Sequence, residues 1–224
     1  MKVKTRSWLV VEGYDDLYSV VSLMRAHTDW PEDKSNAPVW IDIGKSVDEI
    51  IEPVYLQTLL KASNIDVLGI LLDAEQKDPG ARYGRIRDIC SSVFPGLPAD
   101  LPAAGVISEH GGKRMGVWVM PDNVARGGLE TFLRALVPPA QEPLWNHAVE
   151  SATKAKQLGA EWRDVHRHKA YLYTWMAWHD PPGQNPGRAI TKKCLDPTAG
   201  NASAFVRWFK ELYRLKEIQQ VLAL

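Results

Sequence analysis

The sequence contains little cysteine: Cys90 and Cys194 are the two in 224 residues. Neither belongs to a Cys-x-x-Cys pair, which argues against a zinc site built on thiolates. Two isolated cysteines are typical of proteins from a reducing compartment, so we expect a cytoplasmic location.

Long hydrophobic runs are also missing. The apolar run nearest the N-terminus extends only from Trp8 to Val11 before Glu12 interrupts it. This run is too short for a signal peptide and far too short to span a membrane. We therefore expect no membrane partner.

The chain has no excess of charge of either sign, because 27 Lys and Arg residues balance 27 Asp and Glu residues. A protein that binds nucleic acid by bulk charge needs a basic face. The balance argues against that class and leaves room only for a local basic groove.

The first half of the chain alternates between short apolar runs and stretches with helical apolar spacing. This alternation predicts an α/β fold with a mainly parallel sheet flanked by helices. A hairpin around Gly111-Gly112-Lys113 is expected to extend the sheet, and we place this α/β domain at residues 1–137. The predicted strands are 7–11, 39–43 and 66–72, and the predicted helices are 16–27, 46–62, 81–93 and 129–136.

After Pro138-Pro139 the pattern becomes helical, which predicts a C-terminal region, residues 138–224, packed on the first domain. Its predicted helices are 144–158, 163–178 and 202–215. Residues 179–201 are predicted to form a loop, and loops of this length are often functional. This loop carries Arg188 and Lys192.

Acidic side chains follow two of the predicted strands. Glu12 comes directly after the first, and Asp73 and Glu75 follow the third. Parallel strands bring their carboxyl ends to one edge of the sheet, where ligands bind. Clustered carboxylates need a positive partner, and Mg²⁺ or Mn²⁺ prefers oxygen ligands. We therefore predict a site for one or two ions at Glu12, Asp73 and Glu75, with Asp16 either as a further ligand or as the N-cap of the next helix.

Two short motifs resemble the Toprim domain, which occurs in topoisomerases, primases and the overcoming-lysogenization-defect (OLD) nucleases. Glu12-Gly13 matches the glutamate-glycine after the first strand, and Asp73-Ala74-Glu75 matches the acidic pair after the third. The spacing from Glu12 to Asp16 is similar to the Glu-x-x-x-Asp variant of OLD-type nucleases. One departure is that Glu75 stands where the usual pattern has aspartate.

Nearly the full length also resembles a family of small stand-alone Toprim-like proteins of bacteria, through segments 116–123, 128–133, 169–178 and 205–209. This resemblance adds Glu130 as a metal ligand and Lys169 as a basic catalytic residue near the scissile phosphate. Asp122 stays open between a second-metal ligand and a turn residue. Further basic residues are proposed to bind substrate: Lys113, Arg126, Arg188 and Lys192.

Three functions follow from these patterns. The favoured one is a Mg²⁺- or Mn²⁺-dependent nuclease acting on DNA or RNA beside an ATPase partner of the ABC or OLD class, in anti-phage defence. The alternative is a catalytically silent Toprim scaffold that binds a partner protein or nucleic acid. A phosphotransferase ranks last, because Gly111-Gly112-Lys113 and Gly127-Gly128 match no Walker or Rossmann fingerprint.

Overall fold

A computed structural model describes residues 5–44 and 46–216, and these form a five-stranded sheet with helices on both faces. The strands are β1 (Ser7–Val11), β2 (Trp40–Ile43), β3 (Val67–Asp73), β4 (Val106–His110) and β5 (Lys113–Met120). Their order across the sheet is β2-β1-β3-β5-β4. All neighbouring pairs are parallel except β4 and β5, which form an antiparallel hairpin. The predicted α/β class, mainly parallel sheet and added hairpin are confirmed.

The described residues also form nine α-helices. They are α1 (Tyr14–His27), α2 (Val47–Ile50), α3 (Pro53–Lys61), α4 (Pro79–Cys90), α5 (Leu129–Arg134), α6 (Glu142–Gln157), α7 (Arg167–Met176), α8 (Pro186–Thr191) and α9 (Gly200–Tyr213). Residues 217–224 of the predicted C-terminal region lie outside the described part of the chain. Within the described ranges, no helix is both long and apolar enough to cross a membrane.

Two apolar clusters cover the two faces of the sheet. Successive side chains of a strand point to opposite faces, so Leu9 and Val11 join one cluster while Val10 joins the other. The first cluster packs α1 and α5 to α9, and the second packs α2 to α4. Because both faces are covered, the central strands are almost wholly apolar and only their ends carry polar groups.

Helix α9 lies directly on the sheet at a pair of glycines. Gly69 of β3 and Gly116 of β5 are partners in the register. A Cβ atom at Gly69 would lie 2.2 Å from the Tyr213 hydroxyl, and one at Gly116 would lie 2.6 Å from Leu212. Glycine at both positions therefore lets the C-terminal helix join the core of the sheet.

The structure changes two predicted elements. The helix predicted over 46–62 is divided into α2 and α3, and α3 begins at Pro53. The break fits proline, which lacks the N–H that a helix interior needs. Residues 179–201 are not a continuous loop, because α8 forms within them with Asn185 as its N-cap and Pro186 in its first turn. Its short length hid it from the periodicity of the sequence.

Candidate metal centre and active site

Glu12 lies just beyond the carboxyl end of β1 and reaches across to β3. Its Oε1 atom accepts a hydrogen bond of 2.8 Å from the backbone N–H of Asp73. Burial raises the pKa of Glu12 to about 7, and the nearby Asp16 and Glu75 carboxylates add to the rise. The contact ties the two acids of the predicted site together at the same edge of the sheet.

Asp73 is the last residue of β3, and its carboxylate faces the start of α5. Its Oδ1 atom accepts a hydrogen bond of 3.0 Å from the N–H of Leu129. Burial raises the pKa of Asp73 well above its ordinary value, with further contributions from Asp16, Glu12 and Glu130. This carboxylate therefore stands at the centre of a group of acids that repel one another.

Asp16 joins this group, although not as the predicted N-cap. Helix α1 begins at Tyr14 with Gly13 as its N-cap, and the Asp16 Oδ2 atom accepts a 2.9 Å hydrogen bond from the Gly13 N–H. Asp16 thus closes the first turn in the manner of a capping box. Its side chain is buried at 8% exposure. Burial, with Glu130 and Asp15 nearby, raises the pKa of Asp16 to about 6.

Glu130 and Lys169, the two residues that the family resemblance added, form an ion pair beside these acids. Their ion pair measures 3.0 Å between Lys169 Nζ and Glu130 Oε1, and Asp15 lies 3.9 Å from the same amine. Burial works against the charged amine, but Glu130 and Asp15 outweigh it and raise the pKa of Lys169. Tyr173 also donates a 2.6 Å hydrogen bond to Asp15. Helix α7 is thereby anchored over the acids.

Glu75 stands apart from the buried acids. Its side chain is 61% exposed and accepts a 2.9 Å hydrogen bond from Arg82, whose own side chain is only 3% exposed. The Glu75 backbone takes a left-handed conformation with φ of 54°, held by two hydrogen bonds to Gly127. One oxygen of this predicted ligand is therefore taken by an arginine. The Nε atom of Arg82 has no partner within the described residues.

The chemistry of this donor set suits a hard divalent cation. Glu12, Asp16 and Asp73 each use one carboxylate oxygen on a backbone N–H, which leaves the second oxygen of each for another partner. Uncompensated carboxylates in a buried place are costly, and raised pKa values report that cost. Among the described residues, however, no group of three or more acids, histidines or cysteines is already arranged as a metal cage.

Two adjoining clefts open over these acids. One of about 390 Å³ is lined by acids and by the segment before and at the start of α7: Glu12, Asp73, Glu75, Glu130, Arg163, Val165, His166, His168 and Lys169. The other, of about 360 Å³, is bounded by the first turn of α1, Asp73 and Lys169. Both lie at the carboxyl edge of the parallel strands, where α/β proteins bind their ligands.

The structure adds three residues that the sequence analysis missed: Asp15, Arg82 and Tyr173. Asp15 had a signal in its position beside Asp16, and Arg82 lies in α4, seven residues after Glu75. Tyr173 gave no signal in the sequence, because its contact with Asp15 spans 158 residues of the chain.

The other predicted basic residues do not join the site. Lys113 begins β5 at the opposite edge of the sheet, where its amine donates to the carbonyls of Leu60 and Ala62. Arg188 and Lys192 lie on and just after α8, and neither borders the two clefts. Arg126 is exposed in the segment before Gly127, outside the residues that line the clefts.

Asp122 is a turn residue. Its Oδ1 atom accepts hydrogen bonds from the N–H groups of Val124 and Ala125, at 3.0 and 2.7 Å. Its carboxylate is therefore used in its own turn, and the interpretation as a second-metal ligand finds no support.

The chain matches a known family over most of its length. Residues 6–214 match the family model described as protein of unknown function, DUF3226. The chain belongs to this family. No curated protein and no solved structure matches it. Because the matched range includes every acid of the cluster, the family model covers the site as well as the sheet.

Gly128 offers a precise test of the site. A Cβ atom there would lie 2.2 Å from the Asp73 Oδ2 atom, while the extended backbone, with φ of −152°, accepts any residue. We expect Gly128→Ala to push the Asp73 carboxylate out of place and, for the nuclease proposed below, to lower metal-dependent cleavage by about 100-fold, as small misplacements of reacting groups do. Activity and thermal melting, measured together, check this.

The matched control is Gly84→Ala in α4, where an added Cβ meets nothing within 4 Å. We expect this variant to keep its activity and to gain about 0.5–1 kcal/mol in stability, the usual cost of glycine in a helix. Equal activity of both alanine variants would contradict the role given to Gly128.

Proposed function

We propose that this protein is a Mg²⁺- or Mn²⁺-dependent nuclease that cleaves phosphodiester bonds in DNA or RNA. The observation that carries the proposal is the convergence of Glu12, Asp16 and Asp73 at the carboxyl edge of the sheet. Burial raises the pKa of each. Strongly perturbed acids in a cleft are typical of functional sites. Their order along the chain also follows the Toprim resemblance.

Glu12, Asp16 and Asp73 would hold the ion, with Glu130 as a further ligand. A bound divalent ion lowers the pKa of an attacking water and offsets charge on the phosphate. The protein contributes the fixed positions of the carboxylates, since each is anchored by a backbone N–H. Glu75 is assigned to Arg82 and not to the ion.

Besides the ion, the protein itself contributes a positive charge to the site through Lys169. Its amine lies between Glu130 and Asp15 at the border of both clefts. A cation at this place favours a phosphate at the cleft and offsets negative charge that develops during cleavage. Tyr173 positions Asp15, and through it the amine.

A partner ATPase of the ABC or OLD class and a role in anti-phage defence, in the cytoplasm, complete the proposal. They derive from the OLD-type resemblance of Glu12 and Asp16. The zero net charge supports a partner, because such a protein gains substrate affinity from elsewhere.

Cleavage of plasmid DNA and total RNA with Mg²⁺ or Mn²⁺ tests the proposal. We expect metal-dependent cutting by the wild type and a loss of at least about 100-fold in Glu12→Gln. Glu32→Gln, at an exposed glutamate outside both clefts, serves as the matched control and should cut normally. A folded wild type that cuts neither substrate, with and without the ATPase, would refute the nuclease.

A second candidate is a catalytically silent scaffold. The hydrogen bond from Arg82 to Glu75 favours it, because one acid of the Toprim pattern is occupied by an arginine. In that case Glu12→Gln would leave the phenotype in the cell, proposed above as anti-phage defence, intact. Loss of that phenotype would refute the scaffold.

A further inference from the structure

The 390 Å³ cleft is lined by acids on one side and by an arginine with two histidines on the other. The acids at the strand ends form one wall. The other is formed by Arg163, Val165, His166 and His168, in the segment that leads into α7. Acids alone repel a phosphodiester, so the second wall decides whether an anionic strand can enter.

Arg163 differs from the other cations beside the acids. Lys169 is paired with Glu130, and Arg82 is paired with Glu75. Within the described ranges, no ion pair joins Arg163 to a carboxylate, and its contact is a 3.2 Å hydrogen bond from Nη2 to the Nε2 atom of His166. A guanidinium carries five N–H donors in a planar fork. Most of the donors of Arg163 thus remain for a ligand.

The contact with Arg163 also fixes the role of His166. A guanidinium can only donate, so Nε2 of His166 is the acceptor in this contact. Val165, 64% exposed, lies between the two residues and borders the same cleft. Val165 can therefore contact a sugar or base while the guanidinium of Arg163 donates to a phosphate.

We propose that Arg163, Val165 and His166 form a binding wall for the backbone of single-stranded nucleic acid. In this wall Arg163 donates hydrogen bonds from two N–H groups to one phosphate. Bidentate contact with phosphate is the geometry that arginine favours. The cleft volume of about 390 Å³ lies near the lower end of the ~300–1,000 Å³ of pockets that enclose small ligands, which is room for one nucleotide of a strand.

This inference rests on the proposed function for its substrate class, but its test does not require cleavage. Binding of a fluorescein-labelled 12-nucleotide single strand, as DNA and as RNA, is measured by anisotropy in EDTA at low salt. A hairpin duplex of the same sequence is the comparison. The proteins are the wild type, Asp73→Asn, Arg163→Gln, Arg163→Lys and the control Arg207→Gln, at an exposed arginine of α9.

We expect Arg163→Gln to weaken single-strand binding by about tenfold, the usual effect of losing a charge-assisted hydrogen bond. Arg207→Gln should bind like the wild type, and Arg163→Lys should lie between the two because it keeps the charge without the fork. Asp73→Asn should bind at least as tightly as the wild type, since asparagine cannot carry a charge that would repel a phosphate.

The outcomes separate this inference from the nuclease. Cleavage by the wild type together with equal binding by Arg163→Gln and Arg207→Gln would overturn the wall and leave the nuclease standing. Binding that depends on Arg163, without cleavage under any condition, would support the wall and refute the nuclease. Absence of wild-type binding, or tighter binding of the duplex, would overturn the wall.

Discussion

Asp73→Asn is expected to abolish metal-dependent cleavage and, in the same protein, to stabilise the metal-free fold at neutral pH. The two effects have one cause. Burial and the acids Asp16, Glu12 and Glu130 oppose a charge on the Asp73 carboxylate, and they raise its pKa well above the ordinary value. A group kept in a place that costs stability is typical of a functional site.

Asparagine has nearly the shape of aspartate, so the 3.0 Å hydrogen bond from the Leu129 N–H keeps its acceptor. The variant loses the negative charge and one metal-binding oxygen. We expect cleavage to fall by at least about 100-fold, as it does when groups around a bound metal are changed. The midpoint of thermal unfolding in EDTA should rise.

Nuclease assays and thermal melts of the wild type and Asp73→Asn check both effects. Asp29→Asn, at an exposed aspartate outside both clefts, should change neither measurement. A destabilised Asp73→Asn protein would show that Asp73 serves the fold, and full activity would remove it from the site.

The second large effect concerns pH. The pKa of Glu12 is raised by burial from 4.5 to about 7, so the folded protein keeps this proton to a higher pH than the unfolded chain does. Between these two values the folded state binds more protons, and the free energy of unfolding falls as the pH rises. The shift corresponds to about 3 kcal/mol at about 1.4 kcal/mol per unit.

Metal-free protein should therefore unfold roughly 6–12 °C lower at pH 8 than at pH 5, for a chain of this size. Exposed acids with lowered pKa values, Asp66 and Glu109, act in the opposite sense but only below about pH 4. Mn²⁺ should restore stability at pH 8, because metal binds the deprotonated acids. Thermal melts from pH 5 to 8 in EDTA and in Mn²⁺ measure this.

The control for this prediction is Glu12→Gln, which removes the titrating group. Its melting temperature should vary less with pH than that of the wild type. Stability that rises from pH 5 to 8, with no response to Mn²⁺, would contradict the buried acidic cluster.

The sequence alone was sufficient to predict the positions of strands in the sheet. Apolar runs predicted the strand Ser7–Val11 at the bounds that the structure has, and they placed the third strand within one residue of Val67–Asp73. Buried parallel strands need continuous apolar residues, so their positions are local information. The same information placed Glu12 and Asp73 at one edge.

The sequence could not predict contacts between residues that lie far apart along the chain. The sequence pattern could not show that Glu75 would turn to Arg82, because that choice depends on how α4 packs after a left-handed turn. Nor could it separate Lys113 from Lys169, since both follow plausible motifs. Only the register of β5 sends Lys113 to the far edge of the sheet.

Residue types and spacings thus define which groups are available and at which strand end they stand. The partners of those groups depend on the packing of α5 and α7 over the edge. Helix α7 brings Lys169 to Glu130, and the segment before it brings Arg163 to the cleft. Charge pairing acts over a few ångströms in space, and the chain separations of these contacts leave no trace in the local pattern.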